Sequence, residues 1–202
     1  MRSPRLAAAV LIVGLLAGCT TSEAGEATPG KAPASQSEPD TSSSPSVEIP
    51  PPPREISLDG LDPCTLFTES QLAQLGVDSV KPGNGGGIKI YKDMKDCTLD
   101  KDAAEPFYSY SVIAVTNVDV SFWLNERRNA DAALISVAGY PAAEFHTKGV
   151  EDSDCAVAVG VAKNQHLHVE MEPLSEDLKQ DQICQRSEQA AEMAMQTLQT
   201  LR

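Results

Sequence analysis

Basic side chains are scarce in this sequence. Its 202 residues hold 16 Lys and Arg against 29 Asp and Glu, a formal net charge of −13. Proteins that bind nucleic acid hold its phosphates with clustered Lys and Arg, so this balance argues against a nucleic-acid partner. The length excludes a large multidomain enzyme, and the acidic surplus is typical of a chain kept soluble near an anionic membrane.

Long hydrophobic runs are also missing. The longest, Leu6–Leu16, has eleven residues, and a transmembrane helix needs about 20. This run follows Arg2 and Arg5 and precedes small residues, which is the layout of an export signal. The sequence therefore predicts export rather than a membrane-spanning helix.

Common catalytic motifs are lacking too. There is no Gly-x-Ser-x-Gly elbow and no His-Glu-x-x-His pair. The glycines at Gly83–Gly87 lack a following Gly-Lys-Ser/Thr and lead into a predicted strand, which indicates a plain loop rather than a phosphate cradle. A Ser-His-Asp triad stays open, because its members need not be close in sequence. We expect no cofactor, and a non-catalytic role is favoured.

The N-terminal residues have the pattern of a lipoprotein export signal. Leu16-Ala17-Gly18-Cys19 resembles the bacterial lipobox, which implies lipid transfer to the Cys19 thiol and cleavage before it. Residues 1–18 are thus predicted to be a lipoprotein signal peptide, and Cys19 to hold the chain on the extracytoplasmic face of the cell membrane. The alternative is an ordinary secretory signal followed by a coincidental cysteine.

A proline-rich tether is predicted after Cys19. Of the 35 residues 20–54, 21 are Pro, Ser, Thr or Gly. The only large aliphatic residues are Val47 and Ile49, too few to offset the entropy of ordering. We therefore expect residues 19–54 to form a lipidated cysteine and a disordered linker, and residues 55–202 to form one globular domain.

The domain sequence predicts an α+β fold, with short helices and a long C-terminal helix packed on a mostly antiparallel sheet. Asp62-Pro63 and the capping-box spacing Thr68–Gln71 mark helix starts, and Gly76 marks a helix end. Two further short elements are expected, a strand at residues 88–92 and a helix at residues 122–129. The other expected strands are 96–99, 107–116, 134–137, 142–146, 155–161 and 165–171. The last helix is expected to start near Asp181, and its apolar residues lie along one side: Ile183, Ala190, Ala194, Leu198 and Leu201.

Four cysteines remain after Cys19: Cys64, Cys97, Cys155 and Cys184. An exported chain meets an oxidising compartment, so they predict two disulfides, for which three pairings can be drawn. We favour Cys64–Cys97 and Cys155–Cys184, since each ties a helix start to a strand. A zinc site or a redox pair is the alternative, but no two cysteines have C-x-x-C spacing.

Several of these segments together resemble the DUF3558 family of actinobacterial cell-surface lipoproteins. The matching segments are Asp62-Pro63-Cys64-Thr65-Leu66-Phe67, Leu75-Gly76, Val137–Ala142, Asp154-Cys155 and Cys184 at the start of the last helix. Cys97-Thr98-Leu99 departs from the pattern, where such proteins often have a tryptophan shortly after the cysteine. The resemblance implies a lipoprotein at the cell surface and implies no established activity.

One predicted strand carries the strongest candidates for chemistry. His166, His168 and Glu170 alternate, so their side chains leave the same face of the sheet. Two imidazoles and a carboxylate can bind Zn²⁺ or Cu²⁺. The simpler interpretation is that Leu167, Val169 and Met171 face the core while the polar residues face water. His146 can join the set only if its strand is a neighbour.

Two other groups of residues are weaker candidates for a site. Glu151–Asp154 is acidic but lacks the twelve-residue EF-hand pattern, which favours a solvated turn over a Ca²⁺ site. Phe122-Trp123 can line a ligand groove or belong to the core. We expect a membrane-anchored binding or accessory domain whose ligand, an envelope protein or a small molecule, is unidentified. The alternative function is a metal-binding protein or hydrolase that uses the histidine-bearing strand.

Overall fold

The computed structural model describes residues 47–84, 89–125, 128–175 and 177–202. Its strands are β1 (Ser79–Asn84), β2 (Lys95–Lys101), β3 (Tyr108–Val115), β4 (Ala130–Val137), β5 (Tyr140–Thr147), β6 (Cys155–Ala162) and β7 (Gln165–Pro173). Its α-helices are α1 (Glu69–Leu75) and α2 (Gln180–Leu201), and its 3-10 helices are Pro63–Leu66, Lys89–Tyr91 and Val120–Phe122.

The seven strands form one antiparallel sheet in the order β1-β2-β3-β7-β6-β5-β4. Consecutive strands are neighbours except at one point, where β3 pairs with β7 instead of β4. The link from β3 to β4 must therefore cross from the middle of the sheet to its edge. The expected α+β fold, with its antiparallel sheet, long C-terminal helix and two disulfides, is confirmed.

Helix α2 covers one face of the sheet, which we call the helix face. Its apolar stripe, including Ile183, Ala190 and Leu198, is fully buried. The stripe packs with the alternate β7 residues 167, 169 and 171 in the main core. Leu201, which the sequence pattern placed on the same stripe, is 53 % exposed because it lies at the end of the helix.

The predicted helix start at Thr68 is confirmed. The Thr68 hydroxyl accepts from the backbone N–H of Gln71, and the Gln71 side chain accepts from the N–H of Thr68, so α1 has a capping box. Gly76 ends the helix in the left-handed conformation. The Gln71 amide also donates to the Met193 carbonyl at 3.0 Å, which ties α1 to α2.

Two local predictions are wrong, and a third is wrong in part, because Gly83 and Asn84, expected in a loop, belong to β1, while residues 85–87 lie outside the described chain. Residues 89–91, expected in a strand, form a 3-10 helix, because Tyr91 turns inward to cover the sheet and its carbonyl accepts from Met94 N–H. The neighbouring β1 instead includes Pro82, which is tolerated because β1 is an edge strand. Residues 126 and 127 of the expected helix 122–129 lie outside the described chain, and among the others only Phe122 is helical, as the last residue of the 3-10 helix Val120–Phe122. The apolar residues of the expected helix are consecutive rather than spaced along one side, and Trp123 packs onto the sheet.

The predicted tether is described only in its last residues, 47–54, while residues 1–46, including Cys19, lie outside the described chain. Ile49 is partly buried and packs against the cluster that contains Val120 and Phe145. The Arg54 guanidinium donates to the carbonyls of Arg202 at 2.9 Å and Gln199 at 3.3 Å, at the end of α2. No helix among the described residues is long and apolar enough to cross a membrane.

Candidate functional site: a buried histidine and tyrosine cluster

The two histidines of β7 lie on the sheet face opposite α2, which we call the histidine face. His166 is 0 % exposed and His168 is 1 % exposed. The expectation that they face water is therefore wrong. The sheet is covered on both faces, and the second cover comes from residues far away in sequence, which the alternation along β7 cannot reveal.

Aromatic side chains provide that cover. Trp123 stacks on Phe145 with ring centroids 4.0 Å apart and an interplanar angle of 12°. Tyr91 packs edge-on against Trp123 and against the His168 ring. The sequence left two alternatives for Trp123, a ligand groove or the core. Trp123 forms part of a small second core on the histidine face.

The Tyr91 hydroxyl is the centre of a hydrogen-bonded network. Its oxygen lies 3.0 Å from Nε2 of His166 and 3.4 Å from Nδ1 of His168. The indole Nε1–H of Trp123 donates to the same oxygen at 3.1 Å. One phenol oxygen therefore joins residues from the 3-10 helix at 89–91, the β3–β4 link and β7.

The second ring nitrogen of each histidine forms a hydrogen bond with a group other than Tyr91. Nδ1 of His166 lies 2.8 Å from the carbonyl oxygen of Val118. Since a carbonyl can only accept, Nδ1 carries the proton and Nε2 presents its lone pair to Tyr91. Nε2 of His168 lies 3.2 Å from Oε2 of Glu170, and the N–H donates to the carboxylate.

Burial sets the charges of this cluster. It lowers the pKa of His166 to about 3, and repulsion from His168 acts in the same direction, so His166 is neutral. Burial also raises the pKa of Tyr91, which is a neutral phenol. For Glu170, burial opposes ionisation, but the hydrogen bond and charge of His168 outweigh it and lower the pKa of the carboxyl.

The structure does not bring His146 to this cluster. It lies on β5 with Glu144 at the helix face, and its Nδ1 is buried with no hydrogen-bond partner among the described residues. Glu144 lies close to the sulfurs of Cys155 and Cys184, with all donor atoms within 4.8 Å. Those two sulfurs are bonded to each other, so the group is a carboxylate beside a disulfide.

Both favoured cysteine pairings are confirmed. Cys64 bonds to Cys97 and Cys155 bonds to Cys184, with Cα atoms 5.1 Å and 5.0 Å apart. The first disulfide joins the 3-10 helix Pro63–Leu66 to β2, and the second joins β6 to α2. Both lie at the helix face, so they brace the main core and leave the histidine face to non-covalent contacts.

The acidic segment Glu151–Asp154 forms hydrogen bonds with the start of α2. Asp152 accepts from Lys179 Nζ at 3.0 Å and from the backbone N–H of Gln180 at 2.7 Å. The hydrogen bond from Lys179 lowers the pKa of Asp152. The carboxylate therefore caps the first helical residue, and both of its oxygens have partners within the chain.

Tyr91 and Val118 are the members of the cluster that the sequence did not indicate. Tyr91 lies in a segment with strand-like composition, and Val118 contributes only its backbone carbonyl. Trp123 and the two histidines were noted, but nothing in their spacing showed that they meet. Their meeting depends on the β3–β7 pairing and on the path of the β3–β4 link.

Comparison with known proteins gives one result. A family model described as "Protein of unknown function (DUF3558)" matches residues 14–197. No curated protein and no solved structure matches the chain. The match spans both disulfides and the buried cluster.

Proposed function

This chain belongs to the DUF3558 family, and we propose that it is a lipid-anchored protein of the extracytoplasmic membrane face with a non-catalytic binding or accessory domain. The observation that carries the anchor is Leu16-Ala17-Gly18-Cys19, which begins at the last residue of an apolar run of eleven residues. A lipid on Cys19 tethers the chain without a spanning helix.

Export is supported independently by the disulfides. Bonds such as Cys64–Cys97 and Cys155–Cys184 form and persist in oxidising compartments and are rare in the cytosol. The four domain cysteines are all consumed in these bonds, and Cys19 is left for the lipid. This division accounts for all five cysteines.

A binding or accessory role fits the chemistry of the histidine face. A general base needs a nitrogen that can reach a substrate proton. Nδ1 and Nε2 of His166 are both in contact with groups of the chain itself, and the ring is fully buried. The histidine-bearing strand therefore favours a structural or ligand-holding role over proton transfer to a bound substrate.

Metabolic labelling with an alkyne fatty acid tests the anchor. The natural chain is expected to be labelled and to sediment with membranes, whereas Cys19→Ala is expected to lose both properties. Thr20→Ala is the matched control, since it changes the next residue and keeps the lipobox. Labelling that persists in Cys19→Ala would show that the lipid is elsewhere.

Location and role need separate measurements. Protease added to intact spheroplasts is expected to degrade the domain, and full protection would place it on the wrong side of the membrane. Hydrolysis of ester or peptide substrates by the natural chain, abolished in His168→Gln, would overturn the non-catalytic assignment. Crosslinking in intact envelopes then identifies what the domain contacts.

A further inference from the structure

Three donor atoms meet inside the histidine face with the spacing of a metal site. The Tyr91 oxygen is 3.0 Å from Nε2 of His166 and 3.4 Å from Nδ1 of His168. With metal–ligand bonds of about 2.0 Å, neighbouring ligand atoms lie about 2.8 Å apart in a square-planar complex and about 3.3 Å apart in a tetrahedral one. Both distances from the Tyr91 oxygen are therefore close to those between atoms that bind one metal ion.

The groups around the Tyr91 oxygen include one more acceptor than the donors can satisfy. Nε2 of His166 faces Tyr91 with a lone pair, because the other nitrogen of His166 donates to Val118. In the tautomer of His168 that carries its proton on Nε2 and donates it to Glu170, Nδ1 also presents a lone pair. The phenol has one proton for two lone pairs, and the indole N–H of Trp123 already occupies its oxygen.

The outer contacts are those expected around ligating histidines. Such a histidine donates its second ring N–H to a backbone carbonyl or a carboxylate, which fixes the tautomer and the ring orientation. Val118 provides the carbonyl for His166, and Glu170 provides the carboxylate for His168. Both rings are thereby held with the other nitrogen directed at Tyr91.

The charges also balance. A divalent cation that displaces the phenol proton to solvent forms a metal–oxygen bond and leaves a phenolate. Two positive charges then face the phenolate of Tyr91 and the carboxylate of Glu170, so the buried group is neutral overall. This neutrality removes much of the cost of burying a charge.

We propose that Tyr91 Oη, His166 Nε2 and His168 Nδ1 bind one divalent transition-metal ion, with Cu²⁺ bound most tightly. Two imidazoles and one phenolate form a borderline nitrogen and oxygen donor set, for which affinity rises along the first-row metals to Cu²⁺. Glu170 is a positioning residue in this site and not a ligand. The site is independent of the lipid anchor.

The test uses the detergent-solubilised full chain, refolded with disulfides intact in the presence of one equivalent of Cu²⁺ and then dialysed. Refolding is used because Tyr91 and His166 are both fully buried in the folded domain. We expect one copper per chain, release of one proton per metal, and a phenolate-to-copper charge-transfer band in the visible spectrum. A natural chain that retains no copper would overturn the proposal.

Variants assign the ligands. His166→Gln and His168→Gln are expected to abolish retention of copper, whereas His146→Gln, a histidine on the opposite face, retains one copper. Tyr91→Phe keeps the ring packing and should bind more weakly and lose the visible band. Glu170→Gln should weaken the affinity about 10–100-fold, as expected for an outer-contact partner.

Thermal unfolding of each metal-free variant shows whether it folds. If the histidine variants do not fold, the spectrum of Tyr91→Phe decides the assignment. A band that survives in Tyr91→Phe, or copper lost in His146→Gln, would refute the proposed ligands. Retention in the His166→Gln/His168→Gln double variant would also refute them.

Discussion

The backbone of Gly160 lies directly beneath the side chain of Val120. A Cβ atom built on Gly160 would be 2.9 Å from Cγ1 and 3.3 Å from Cβ of Val120, and 3.4 Å from the carbonyl oxygen of Pro141. Val120 belongs to the link that crosses the histidine face, and Gly160 belongs to β6. The absence of a side chain at position 160 is thus what lets this link approach the sheet.

Gly160→Ala is therefore expected to destabilise the domain by about 1–3 kcal/mol through overpacking. Val120→Ala removes the clashing methyl groups, so the double variant should be less destabilised than the sum of the two single variants. Urea unfolding of the four proteins measures this coupling. Strict additivity would mean that the link moves away from β6 without cost.

Each disulfide is expected to contribute substantially to stability. The loops closed by Cys64–Cys97 and Cys155–Cys184 span 33 and 29 residues, for which the chain-entropy model gives about 3.5–4 kcal/mol each. Replacing both cysteines of either pair by alanine should lower the free energy of unfolding by similar amounts. Guanidinium unfolding checks this, and a large inequality would show that strain or residual structure dominates one of them.

Acid is expected to destabilise the domain through His166. Below pH 6.5 a histidine in the unfolded chain takes up a proton, whereas His166 in the folded domain stays neutral down to about pH 3. The unfolded state therefore binds more protons in this window, and stability falls as the pH is lowered, by up to about 1.4 kcal/mol per pH unit. The metal-free chain is used, so that no bound ion contributes.

The free energy of unfolding of the natural chain and of His166→Gln, measured between pH 7 and pH 4, isolates this contribution. The slope should be smaller in His166→Gln than in the natural chain. Equal slopes in the natural chain and His166→Gln would show that the buried imidazole gains its proton without unfolding.

Gly76 and Gly60 offer a matched pair of substitutions. Both have a left-handed backbone, with φ of 70° and 73°. A Cβ on Gly60 meets nothing within 4 Å, whereas a Cβ on Gly76 would lie 2.5 Å from the Tyr108 hydroxyl, which donates to the Leu75 carbonyl. Gly60→Ala should cost about 1–2 kcal/mol for the backbone alone.

Gly76→Ala should cost a further 1–3 kcal/mol or so, because the new methyl group displaces the Tyr108 hydroxyl. In a Tyr108→Phe background the difference between the two alanine variants should shrink. Thermal unfolding of the four alanine variants measures the difference in each background. An unchanged difference would assign the cost to the helix end rather than to the hydroxyl.

The sequence predicted the elements whose signals are local. The capping box at Thr68 and the strands β6 and β7 depend on residues within a few positions of each other, and these predictions are confirmed. The disulfide pairing followed from the placement of cysteines on these elements. Local patterns thus define most of the helix face.

The histidine face depends on contacts that no local pattern encodes. Tyr91 and His166 are 75 residues apart, and they meet only because β3 pairs with β7 and the 3-10 helix that precedes β2 lies over the sheet. The consecutive residues Phe122-Trp123-Leu124 have the composition of a short helix, yet Trp123 and Leu124 pack against residues of β5 and β6. Tertiary packing overrides local propensity at these positions.

The β3–β7 pairing also divides the covalent framework of the domain. One disulfide lies wholly before the β3–β4 link, and the other lies wholly after it. A single proteolytic cut in that link would therefore leave two fragments with no covalent connection, although every cysteine of the domain stays oxidised. Cohesion between the two halves then rests on non-covalent contacts, among them the β3–β7 ladder, the α1–α2 contact, the hydrogen bonds from Arg54 to the end of α2 and the side chains that surround Tyr91.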